Sequence, residues 1–177
     1  MVARLATLGY GNAQPIVAES GKIMEYGSIE REIHVDASPE VVFEVISSPA
    51  HLKEWWADDA ELDPVPGGTG ELVWGDEATP RAQVAAVTVV EAEPPRLFSF
   101  RWTHPHGEVA APGNSLLVTF ELVPAGAGTV LRFTETGFRE MGWEAAVLEE
   151  RYNEHGVGWD TFLPRLREYA PRLTSTP

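Results

Sequence analysis

The sequence contains no cysteine. This excludes disulfides, thiol nucleophiles and thiolate metal sites, and it fits a reducing cytoplasm, the expected localisation. Basic charge is scarce. Thirteen lysines and arginines (13) stand against 27 aspartates and glutamates, a formal net charge of -14. Such a surface repels phosphate backbones and anionic lipid, and no basic stripe is present. Neither nucleic acid nor a membrane is therefore an expected partner. No apolar run approaches the roughly 20 residues of a membrane span. The N-terminal stretch is interrupted by Gly9, Gly11, Asn12 and Pro15 and does not read as a signal peptide. A Gly-x-Ser-x-Gly elbow, an HExxH pair and a phosphate loop are also missing. The GGTG at 67–70 lacks the lysine and helix of such a loop and reads as a turn.

What is present suits one globular domain. The 177 residues are 44% apolar, enough for a sizeable core. Six tryptophans are many for this length, and most should line a core or a pocket. Residues 1–26 lack periodicity and read as a flexible leader, with Met24 rather than Met1 as the expected native start. The domain is expected over 27–172, followed by a short tail, 173–177.

In SIEREIHV, Ile29, Ile33 and Val35 share one strand face. Ser38, Pro39 and Glu40 carry the signals of a helix start, and a second short helix follows over His51 to Trp56. GTGELVW, RAQVAAVTVVEAE, LFSFRW, SLLVTFELV and TVLRFTETGF read as strands joined by Gly/Pro turns, an antiparallel meander. The end is helical: one segment from Gly142 to His155, then, after Gly156 and Gly158, a second. In the second, Trp159, Phe162, Leu163, Leu166 and Ala170 keep three- and four-residue spacing. Pro164 should kink this helix or mark a break. The fold class is α+β, a curved antiparallel sheet covered by the C-terminal helix.

Five segments in this order resemble a known family. They are IEREIHVDASPEVVFEVISSPAHLKEWW, PVPGGTGELVW, VVEAEPPRLFSFRW, LRFTETGF and GVGWDTFLPRLREY. The chain is similar to the SRPBCC or START-like superfamily, whose helix-grip fold wraps a sheet around the last helix. Within it, the chain looks like bacterial proteins related to the C-terminal domain of the activator of heat-shock-protein-90 ATPase. The resemblance implies a cavity between helix and sheet. Two positions depart from the family pattern: Glu135 stands where many relatives have histidine, and Pro164 interrupts the final helix.

The expected ligand-binding set is Trp55, Trp56, Trp74, Phe100, Trp102, Phe133, Trp143, Trp159 and Phe162, with Glu135 as the polar member. Taken singly, each aromatic reads first as plain core, since aromatics dominate ordinary cores. Alternation puts Glu135 on the face of Leu131 and Phe133. There it must be paired, protonated or at a wet mouth, unless it is simply a solvated strand end. Arg31 falls on the Ile29 and Ile33 face and is a candidate partner for Glu135. Arg101 and Arg132 alternate outward, and His34 and His155 read as surface residues. His104 and His106 flank Pro105, and with His51 or an acid they could approach a metal. That pattern is too sparse to assign one, so neither metal nor cofactor is expected. The leading expectation is a non-enzymatic domain that binds a hydrophobic or aromatic small molecule. One alternative is a cyclase, dehydratase or hydrolase using Glu135, His104 and Tyr152. The other is a chaperone-interacting module, which would need an apolar patch on the outer sheet face. A homodimer is compatible with either.

Overall fold

The structure, a computed structural model, describes residues 26–75 and 83–174. Most of the expected leader, including Met24, lies outside the described residues, as do Arg81 and residues 175–177.

Strand β1 (Ser28–Val35) opens the fold, followed by helices α1 (Pro39–Ser47) and α2 (Pro49–Trp55). The Ser38 hydroxyl accepts from the Val41 N–H at 3.3 Å, Pro39 occupies the first turn and Glu40 faces the positive end of α1. Val42, Phe43, Val45 and Ile46 are the side that α1 buries. Six strands follow: β2 (Asp59–Leu62), β3 (Thr69–Trp74), β4 (Gln83–Glu93), β5 (Leu97–His104), β6 (Leu116–Ala125) and β7 (Gly128–Thr136). The seven strands form one antiparallel sheet in the order β1-β7-β6-β5-β4-β3-β2. A short 3-10 helix (Arg139–Met141) leads to α3 (Ala145–Thr174). The helix-grip expectation holds.

Strand β2 is not legible in the sequence. Its four residues are DAEL, of which only Ala60 is buried, so alternation has nothing to display. Its pairing depends instead on two glycines in the GGTG turn. A Cβ on Gly68 would stand 2.0 Å from the Asp63 carbonyl oxygen, and one on Gly70 would stand 2.0 Å from that of Glu61. Only glycine lets these backbones approach so closely.

The C-terminal helix is one element, which corrects the expected division after His155. Gly156, Gly158, Pro164 and Pro171 all lie inside it. A helical glycine costs about 1 kcal/mol and a proline about 3 kcal/mol relative to alanine. Burial of Trp159, Leu163, Leu166 and Ala170, each no more than 2% exposed, outweighs those costs. Pro164 removes one backbone bond without ending the helix.

Candidate functional site

The alternation of β7 turns Leu131, Phe133 and Glu135 toward α3, and all three are buried. Glu135 is 0% exposed, which corrects the reading as a solvated strand end. Burying a carboxylate is costly unless its oxygens are satisfied. Here they are. Oε2 accepts from the indole Nε1–H of Trp102 on β5 at 2.8 Å, and Oε1 accepts from that of Trp159 on α3 at 2.8 Å. His155, also on α3, places Nδ1 3.1 Å from Oε1 and 3.0 Å from Oε2. An indole N–H only donates, so both oxygens act as acceptors; with Glu135 ionised, the tautomer that completes the network carries its proton on Nδ1 of His155. Glu135 therefore pins two strands to the helix through one charged group.

His155 is the residue that sequence reasoning missed. Expected at the surface, it has a side chain only 18% exposed, with its ring edge-on to Trp102 and Phe138. A signal existed: His155, Trp159 and Leu163 are spaced four apart, one face of an uninterrupted helix. Arg31 is corrected too. It pairs with Asp160 on α3 (Nε to Oδ1 2.7 Å, Nη2 to Oδ2 3.2 Å), and this bond raises its pKa. Glu135 thus takes its proton donors from neutral or imidazole groups and none from arginine.

Next to this cluster lies a cavity of 580 Å³. Its apolar wall is Trp56, Trp74, Trp102, Trp159 and Phe162. Trp56 is the hub, with ring centroids 5.0 Å from Trp159, 5.1 Å from Trp102 and 5.6 Å from Trp74. The Trp74 indole donates to the Trp56 carbonyl at 2.9 Å, which fixes the wall at its α2 end. The indole N–H of Trp56 itself, a buried residue, makes no hydrogen bond among the described residues. The polar lining includes His155, Arg151 and Glu154 from α3, and Thr103, His104 and His106 from the end of β5 and beyond.

Other expected members sit elsewhere. Trp55 is core: it stacks on Trp56 and donates to the Val45 carbonyl at 2.9 Å. Phe100 and Phe133 are buried behind the wall, against Trp56 and Trp159 respectively. Trp143 is partly buried against the core before α3 and does not line the cavity. Tyr152 does not line it either; its hydroxyl donates to the Ser28 carbonyl at 2.6 Å and its ring meets Phe138. His51 lies by Tyr169, Nδ1 2.7 Å from the hydroxyl, whose pKa burial raises. His106 meets Glu71 at 3.1 Å. Among the described residues no cluster of three metal-ligating side chains occurs.

His104 is displaced by an irregularity that the sequence does not reveal. Trp102 pairs with Val87 but His104 pairs with the adjacent Ala86, so Thr103 is an extra residue in β5. This bulge sends His104 to the face opposite Trp102, where its Nε2 lies 3.2 Å from the Thr88 hydroxyl. Thr103 has φ 67°, a left-handed conformation that a β-branched residue adopts at a cost of about 1–3 kcal/mol. Thr103→Gly should remove that strain against about 0.5–1 kcal/mol of added unfolded-chain entropy. The expected result is a net gain of about 1 kcal/mol in urea unfolding. A loss of stability would mean that the threonine side chain contributes more than its backbone costs.

The comparisons with known proteins agree with this architecture. A solved Mesorhizobium loti protein is similar over 82% of this chain and 97% of its own, at 22% identity and a TM-score of 0.65. The Aha1 dimer from Colwellia psychrerythraea is similar over 80% and 93%, at 20% identity and a TM-score of 0.61. DynU16, a putative protein in the dynemicin biosynthetic locus, is similar over 81% of this chain and 46% of its own, at 19% identity and a TM-score of 0.62. At these identities the likeness establishes the fold. A search of curated proteins gives no significant match. The family described as Activator of Hsp90 ATPase homolog 1-like protein matches residues 36–170, and the chain belongs to that family.

Proposed function

We propose that this protein is a binding domain for an aromatic or otherwise apolar small molecule, held between the β3–β5 end of the sheet and α3. The observation that carries the reading is the 580 Å³ cavity walled by four of the six tryptophans. That volume falls in the range of about 300–1,000 Å³ usual for small-molecule sites, and an apolar wall with a few polar groups is their common form. Removing apolar ligand surface from water gains about 25 cal/mol per Å². Rigid indoles lose little conformational freedom in making such a wall. That one relative is encoded in a biosynthetic locus is compatible with a small-molecule ligand.

A protein-docking role is less well supported. The exposed large apolar side chains among the described residues are five valines, Val65, Val84, Val90, Val109 and Val157, spread over a turn, a strand, a loop and a helix. Single exposed apolar residues of this kind are ordinary. No helix among the described residues is long and apolar enough to cross a membrane.

The six indole N–H resonances make the reading testable. Titration of ¹⁵N-labelled protein with 2-methoxynaphthalene should shift the signals of Trp56, Trp74, Trp102 and Trp159 in a saturable way. Those of Trp55 and Trp143 should move least. An absence of shifts, or shifts confined to Trp143, would sink the proposal.

A further inference from the structure

The polar groups around the cavity differ in what they have left to offer. Arg151 is paired with Glu154 at 3.2 Å and His106 with Glu71 at 3.1 Å. His104 is engaged by Thr88 and by the Pro105 carbonyl, each at 3.2 Å. Gln83 and Thr103 line it as exposed residues, whereas His155 is largely buried. Its Nδ1 is committed to Glu135, and its Nε2 has no partner among the described residues although the residue lines the cavity.

The chemistry of that nitrogen follows from the buried cluster. The carboxylate accepts from Nδ1, so the neutral ring carries its proton there and presents a lone pair at Nε2. Glu135 is itself held by Trp102 and Trp159, so the ring is oriented before any ligand arrives. Trp102 and Phe138 hold the ring edge-on and limit its rotation. A carboxylate ligand would bring a second negative charge near Glu135, and the one arginine among the described lining residues, Arg151, already faces Glu154. A ligand hydroxyl acidic enough to share its proton avoids that repulsion. As a neutral phenol or enol it donates to Nε2. The proton can shift to Nε2 within that bond, which brings no net charge into the site.

Resting on the cavity reading above, we infer that His155, positioned by Glu135, is the recognition residue for a phenolic or enolic hydroxyl on an aromatic ligand.

The test compares 2-naphthol with 2-methoxynaphthalene, which has the same ring system and no proton to donate. Binding is measured by calorimetry to the full chain and to His155→Asn, whose amide can still donate to Glu135 but leaves nothing at the Nε2 position. The wild type should bind 2-naphthol about tenfold or more tighter, the value of one hydrogen bond to a charge-assisted group. In H155N that preference should fall within about twofold, whatever the absolute affinities. Equal affinities in the wild type, or a preference that survives in H155N, would overturn the assignment. Binding of neither probe would overturn the cavity reading itself and the assignment with it. Should H155N not fold, the wild type alone decides. 2-Naphthol must move the ¹⁵N resonance of His155 Nε2 more than 2-methoxynaphthalene does, and equal or absent movement refutes the assignment.

Discussion

Glu135→Ala is expected to lower the unfolding free energy by about 3–5 kcal/mol, the usual cost of breaking a buried charged hydrogen-bond pair by deleting one partner. The physical reason lies in what the substitution leaves behind. Three donors converge on the Glu135 carboxylate: the indoles of Trp102 and Trp159 and Nδ1 of His155. Neither indole can turn to water without disturbing the packing around it, because Trp102 and Trp159 are buried. The alanine also opens a void between β7 and α3. Glu135→Gln makes an informative control. It keeps the volume, but its amide NH2 must face one of the three donors, so it should lose about 1–3 kcal/mol. Urea unfolding followed by tryptophan fluorescence would measure both. If Glu135→Ala were neutral, the carboxylate could not be the pin between sheet and helix.

The second large effect is expected at Trp159. This side chain is 2% exposed, and its ring lies 4.3 Å from Phe133 and 5.0 Å from Trp56. Trp159→Ala should cost about 3–5 kcal/mol, as for other large aromatic truncations in cores. Trp159→Phe separates the two contributions. It preserves most of the packing and removes the donor to Glu135 Oε1, so a loss of about 1.5–3 kcal/mol is expected. Because Trp159 and Glu135 touch, their costs should not add. A double-mutant cycle between Trp159→Phe and Glu135→Gln should show coupling of about 0.5–3 kcal/mol, and strict additivity would contradict the observed hydrogen bond.

Much of this site can be read before folding. In β7, side chains alternate about the strand axis, so Glu135 must follow Leu131 and Phe133 inward whatever the rest of the chain does. The same rule places Trp102 with Phe98 and Phe100. It fails two residues later at His104, because a bulge shifts the count by one and no residue type at Thr103 announces it. A glycine there would have been a hint, since left-handed bulge positions favour it.

Strand alternation does not choose the partners of Glu135. Arg31 has the complementary charge and the correct strand face, yet Asp160 takes it, because α3 crosses β1 with Asp160 above the arginine. Which helix residue meets which strand depends on how two elements dock, and strand alternation says nothing about that. For His155 the misleading signal is local. Gly156 and Gly158 predict a division after His155, which would cut it off from the face of Trp159 and Leu163. Tertiary packing overrides those weak propensities.

Fold class, element order and the inward direction of Glu135 all follow from local sequence rules. Alternation, caps and turn residues act over a few positions and need no distant partner. Long-range docking sets the grip of two tryptophans and a histidine on the carboxylate, and the cavity that remains beside them. Both depend on where a 30-residue helix settles on a seven-stranded sheet, which is set by close packing between residues far apart in the chain.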